Sequence, residues 1–201
     1  MGWRSIRTAV VGASLVAAMA TAGPALAVPI ETAFNFVPTT ALTADTGDVT
    51  TATTITSGAP DLVTSILTDN TGLIPLISTV TLTNPTPVTL GSVFTKTFTT
   101  ALGDFTETLT VTLVTPGPSS LGIEATGTIV HTNVAPGQQQ LDPAPVLYSA
   151  AYTQNGGPGA QINASFNDST VPFRTPEPAS LLLVGGGLAG LVAVRRRAPN
   201  A

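Results

Sequence analysis

The chain has 201 residues, 43% of them hydrophobic and only 9% charged, with no cysteine and a single histidine. It is too apolar for a disordered polyelectrolyte, and the lack of cysteine excludes a disulfide framework, a thiolate metal site and a cysteine nucleophile. Between residues 28 and 175 only Lys96 and Arg174 stand against ten acidic residues, a balance that repels phosphate backbones and excludes nucleic acid as a partner.

The first 27 residues fall into three parts: the basic "MGWRSIR", an uncharged apolar run over 9–22, and "GPALA", with small residues at Ala25 and Ala27. This is the layout of a secretory signal peptide cleaved after Ala27, and the apolar run is too short to span a bilayer comfortably. Residues 1–27 are therefore expected to engage the Sec export machinery, leaving 28–172 as the exported domain.

That domain opens with weak strand signals at 34–37, 49–56, 80–83 and 92–99, with a short helix as an option at 61–67. Stronger alternation follows. In "FTETLTVTLV" (105–114), Phe105, Leu109, Val111 and Leu113 share a face that Glu107 interrupts, and threonines fill the opposite face. In "LGIEATGTIVH" (121–131), Leu121, Ile123, Ala125 and Ile129 alternate with Glu124, Thr126 and Thr128, and His131 continues the apolar face. "VLYSAAYTQ" groups Val146, Tyr148, Ala150 and Tyr152, and "AQINASFN" groups Ile162, Ala164 and Phe166. A period of two marks half-buried strands, and the intervening "NGGPG" is turn chemistry that makes the last two a hairpin. Eight or nine antiparallel strands without crossover helices predict an all-β fold, a jelly-roll-like antiparallel β-sandwich.

The tail, 173–201, contains "PEPASLLLVGGGLAGLVAVRRR". Gly185, Gly187 and Gly190 have G-x-G-x-x-G spacing, but only eleven residues follow Gly190 and none is acidic, so the βαβ context of a dinucleotide fingerprint is missing. Residues 179–194 carry no charge and as a helix would measure about 24 Å, a short transmembrane span completed by snorkelling arginines. Gly186 and Gly190 add a weak G-x-x-x-G pair. Arg195, Arg196 and Arg197 hold the carboxyl end on the cytoplasmic side, with the body of the chain outside.

Pro176, Glu177 and Pro178, followed by that apolar segment and the arginines, resemble the PEP-CTERM sorting signal of Gram-negative bacteria that make exopolysaccharide. The resemblance implies recognition by an exosortase, a membrane-embedded protease or transpeptidase that processes the chain near Pro-Glu-Pro. It also implies an inner-membrane anchored intermediate with its domain in the periplasm, then release or transfer to the cell surface or matrix. "VHTN" at 130–133 resembles the T-H-x-N motif of some PEP-CTERM proteins, departing from it at Val130.

Catalytic signals are sparse. His131 has no G-x-S-x-G partner, and one histidine without cysteine does not make a common zinc ligand set. Glu107 and Glu124 are the pair to weigh for glycoside hydrolysis, which depends on their separation. Asp45, Asp48 and Asp69 lie in short turns that lack a complete calcium loop. Once Trp3 leaves with the signal peptide, Tyr148 and Tyr152 are the amphipathic aromatics left as ligand-binding candidates. The expectation is an exported, non-enzymatic structural component of the surface or biofilm matrix, with no cofactor, metal or catalytic residue. A carbohydrate-binding module for the exopolysaccharide is the alternative, and a hydrolase of that polymer the next.

Overall fold

The computed structural model describes residues 28–171. Its strands in chain order are β1 Thr32–Val37, β2 Leu42–Ala44, β3 Thr54–Ser57, β4 Asp61–Asp69, β5 Thr79–Leu82, β6 Thr86–Pro87, β7 Val93–Thr100, β8 Gly103–Pro116, β9 Ser120–Val134, β10 Ala144–Gln154 and β11 Ile162–Thr170. There is no helix among the described residues. The signal peptide and the expected C-terminal membrane helix lie outside them.

The expected β-sandwich is incorrect. Eight strands form a ring in the order β1-β4-β5-β7-β8-β9-β10-β11, and β11 pairs back onto β1, with Ala33 opposite Ser169 and Phe36 opposite Phe166. The fold is a closed eight-stranded antiparallel β-barrel. Alternation of apolar and polar residues is the same in both architectures. What separates them is the partner of the first strand, a contact between residues far apart in sequence. The 61–67 segment is likewise strand and not helix, since it forms most of β4 and directs Asp61 and Val63 inward.

Closure needs curvature, and the register shows where it is introduced. Shifts occur at Ala33/Phe34 and Asn35/Phe36 against β4, and at Asp104/Phe105 and Val111/Leu113 in β8 against β9. Such bulges bend a strand and increase its twist. The second shift in β8 turns Leu113, expected on the apolar face, outward to 47% exposure. Three consecutive strand pairs, β1 with β2, β3 with β4 and β5 with β6, break at 38–41, 58–60 and 83–85, each containing a proline. Side chains stitch this corner: Thr39 Oγ1 donates to Pro60 O at 2.7 Å, Gly58 N to Thr40 Oγ1 at 3.0 Å, and Ser57 N to Asn84 Oδ1 at 3.2 Å. Beyond it, β2, β3 and β6 continue as a short extension joined to β11 at Leu42–Ile162.

The wall between β8 and β9 leaves no room for a side chain at Gly127, where a Cβ would lie 1.9 Å from the Thr108 carbonyl oxygen. Backbone cannot yield as a flexible side chain does. Gly127→Ala is therefore expected to destabilise the barrel by about 1–3 kcal/mol, as overpacking does, read as a lower urea midpoint at unchanged slope.

Aromatic rings fill the interior. Phe34 meets Phe98 edge-on at 5.7 Å, Phe94 meets Tyr148 at 5.4 Å, and Phe98 stacks on Phe105 at 5.2 Å. Threonine, serine and asparagine dominate the outer face, the reverse of a lipid-facing barrel, whose apolar band points outward. Both ends of the described chain dock beside the start of β10: Asp142 N donates to Val28 O and Val171 N to Pro145 O, each at 2.9 Å. At the other end of β10, Gln154 ties the loops together, accepting from Val49 N at 2.9 Å and donating to Gly47 O at 3.0 Å and Ala160 O at 2.9 Å.

Candidate functional site

Three charged side chains project into the packed lumen. Lys96 lies between Phe94 and Phe98 on β7, Glu107 is directly opposite it on β8, and Asp168 comes from β11 across the ring. Lys96 Nζ is 2.8 Å from Glu107 Oε2 and in direct contact with Asp168 Oδ2, and all three side chains are fully buried. The ammonium also sits over the Phe34 and Phe36 rings, at 4.6 and 5.4 Å from their centroids, where ring quadrupoles attract a cation. Lys96 is the chain's only lysine.

Burial acts on this cluster in opposite directions. It pushes the Lys96 amine down to about 8, against the pull of Glu107, and pushes the Glu107 carboxyl up, against the pull of Lys96. Each shift favours the uncharged form. Asp168 Oδ1, Glu107 Oε1 and the Tyr148 hydroxyl are buried with no hydrogen-bond partner. Asp61 joins them from the start of β4, 2% exposed and with Oδ1 unpartnered.

The residues singled out in the sequence divide between the two faces of the wall. Tyr148 and Tyr152 are 2% and 1% exposed, inside the barrel, where burial first and then neighbouring charge hold both hydroxyls protonated. Glu107 points inward and Glu124 outward, so the barrel wall separates them and they cannot flank one glycosidic bond. His131 is buried, stacked 4.4 Å from Phe105; its Nε2 is 3.0 Å from Leu102 O, and its Nδ1 accepts from Leu141 N at 3.4 Å. Those contacts make it a pinned structural ring. Asp45, Asp48 and Asp69 spend their oxygens on nearby threonines and backbone amides; Asp69 accepts from Thr71, Gly72 and Leu73. The Thr53 hydroxyl holds Asp45 below its usual range.

Outside, Ser65, Asn35, Asn167, Ser149 and Glu124 stand opposite one another on five adjacent strands, β4, β1, β11, β10 and β9. Asn167 Nδ2 donates to Asn35 Oδ1 at 2.6 Å, and Asn35 Nδ2 to Ser65 Oγ at 2.9 Å. Small residues at Gly122, Ala151 and Ser165 lower the neighbouring surface, giving an open groove of roughly 520 Å³ with a mixed polar and apolar lining.

Among known families, the PEP-CTERM protein-sorting motif matches residues 174–197. This chain carries a PEP-CTERM sorting motif. It is accordingly an exported substrate of an exosortase that passes through a membrane-anchored intermediate. No curated protein and no solved structure matched, so the comparisons identify the PEP-CTERM tail and leave the barrel to be read from its own geometry. Pro176, Glu177 and Pro178 and the arginines at 195–197 fall within that match. They lie outside the described residues, as do Ala25 and Ala27.

Proposed function

We propose that the processed chain is a non-catalytic structural component of the cell surface or exopolysaccharide matrix, delivered by its PEP-CTERM tail. The observation that carries this reading is the division of the barrel wall: its charged cluster Lys96–Glu107–Asp168 is sealed in an aromatic core, and its outer face is rich in hydroxyls and amides. The Asn35–Asn167–Ser149 row favours a polysaccharide as the matrix partner. Neighbouring strands about 4.8 Å apart carry these side chains in a row partly linked by hydrogen bonds, a pre-ordered array of donors and acceptors for sugar hydroxyls.

Cell fractionation tests both parts of the reading. Wild-type chain is expected in the surface and matrix fractions, shortened at both ends. A variant with Pro176, Glu177 and Pro178 all changed to alanine should accumulate at full tail length in the membrane fraction. Asn167→Ala should be processed normally yet appear in the medium at the expense of the matrix. Wild-type chain retained unprocessed in the cytosol would overturn the sorting reading, and undiminished matrix retention of Asn167→Ala would overturn the polysaccharide reading.

A further inference from the structure

The buried cluster has an arrangement that ordinary ion pairing does not require. An exported domain with one lysine would ordinarily place that residue on its surface, where a hydrated ammonium costs nothing. Here it is fully buried, with its Nζ against one carboxylate and within 2.8 Å of another. Two acids and one amine in an apolar lumen cannot all remain charged without a large desolvation cost. Condensing the amine with one acid removes a cation and an anion together.

We infer that Lys96 and Asp168 form an intramolecular isopeptide bond across the barrel, with Glu107 carrying the protons. The amine first passes a proton to Asp168, giving NH₂ beside COOH. The Nζ lone pair attacks Asp168 Cγ, and the N–Cγ bond forms. Glu107, protonated at the start, takes a proton from Nζ on one oxygen and gives its own from the other to the departing hydroxyl. The Cγ–O bond breaks, one water leaves, and Glu107 ends as it began, an acid beside a neutral amide. No oxidant, nucleotide or metal enters the balance.

Several features of the site favour this step. Contact between Nζ and the Asp168 carboxyl replaces a bimolecular encounter, where effective molarities are very high. Burial favours the free amine over the ammonium and the protonated Glu107 over its carboxylate, the forms that the reaction uses. Phe34 and Phe36 line the cluster, and an aromatic lumen keeps out the water that would reverse it. The two residues are 72 apart in sequence and on opposite sides of the ring. The bond would therefore be a transverse bar joining β7 to the last strand.

The test is the intact mass of the processed wild-type chain, followed by denaturation, amine acylation and peptide mapping. The expected mass is one water below that of the processed sequence. Acylation should modify only the α-amine, and a branched peptide should contain Lys96 and Asp168 together. Because the chain has no other lysine, a second acylated amine on the denatured wild-type chain would overturn the bond. Glu107→Gln should abolish the water loss, and a fully linked Glu107→Gln chain would overturn the role given to Glu107. Asp168→Asn should form the same amide with loss of ammonia in place of water, a signature that no purely structural role produces. An unlinked Asp168→Asn chain that folds with native circular dichroism would count against the mechanism.

Discussion

Lys96→Met is expected to lower the stability of the barrel by at least about 3–5 kcal/mol, the cost of leaving a buried ionic partner uncompensated. The substitution keeps an unbranched side chain of similar length among Phe34, Phe94 and Phe98 but leaves the Glu107 and Asp168 carboxyls facing each other in a dry interior. Burial already favours the protonated form of Glu107, so Asp168 must also take up a proton or stay charged and unpaired, at a free-energy cost that grows as the pH rises. Equilibrium unfolding in urea at neutral pH measures the deficit, and a change below about 1 kcal/mol would contradict the cluster's burial. Changing all three residues to apolar ones, Lys96→Met with Glu107→Leu and Asp168→Leu, should recover the ionic part of the loss, as replacement of buried ion pairs commonly does. Any deficit left in that triple variant reports the covalent bar.

The second large effect is a pH slope. Burial pushes the Asp61 carboxyl up to about 7, from an ordinary 3.8. A carboxyl whose folded value is raised favours the folded state fully below its unfolded value. As the pH climbs from about 4 to about 7, the unfolded chain releases the proton while the folded chain keeps it, and stability falls. At about 1.4 kcal/mol per unit the total is roughly 4 kcal/mol, with no further loss from this residue above pH 7. Asp61→Asn, which cannot ionise, should match the wild type at pH 4 and exceed it at pH 7. Urea midpoints across that range, compared between the two proteins, isolate Asp61 from Glu107, whose raised carboxyl adds a slope of the same sign. Parallel curves would show that Asp61 is solvated.

How much of this was legible in the sequence depends on range. The long strands β8 to β11 and their hairpin are visible because apolar–polar alternation is a local signal that each strand carries alone. Closure of the ring is not local: it rests on pairing of Asn35 with Asn167, residues 132 apart, and nothing in either segment advertises the other. The 61–67 stretch misleads because Leu62, Val63, Ile66 and Leu67 are spaced to suit a helix, whereas Leu67 is the residue skipped at a register shift of β4 against β1 and is 68% exposed. Glu107 stood out in the sequence as a charge on an apolar face. Lys96 between Phe94 and Phe98, and Asp168 two residues beyond Phe166, carry the same signal. Their signal is weaker because threonine dilutes the β7 pattern and Asp168 lies at the end of the β11 alternation. What the sequence cannot show is that these three interruptions converge, since β7 and β11 meet only through the lumen. The tail is the opposite case, a linear motif readable without any fold.

Val28 and Val171 both dock against the beginning of β10, so the two ends of the described chain leave the barrel at one pole. A chain still gripped at both ends by the bilayer would stand on that pole like a vase on its base. Its rim would then be the loops at 45–53, 117–119 and 155–161, gathered around Gln154 at the far end of β10. That rim would lie farthest from the membrane for as long as either tether is uncut.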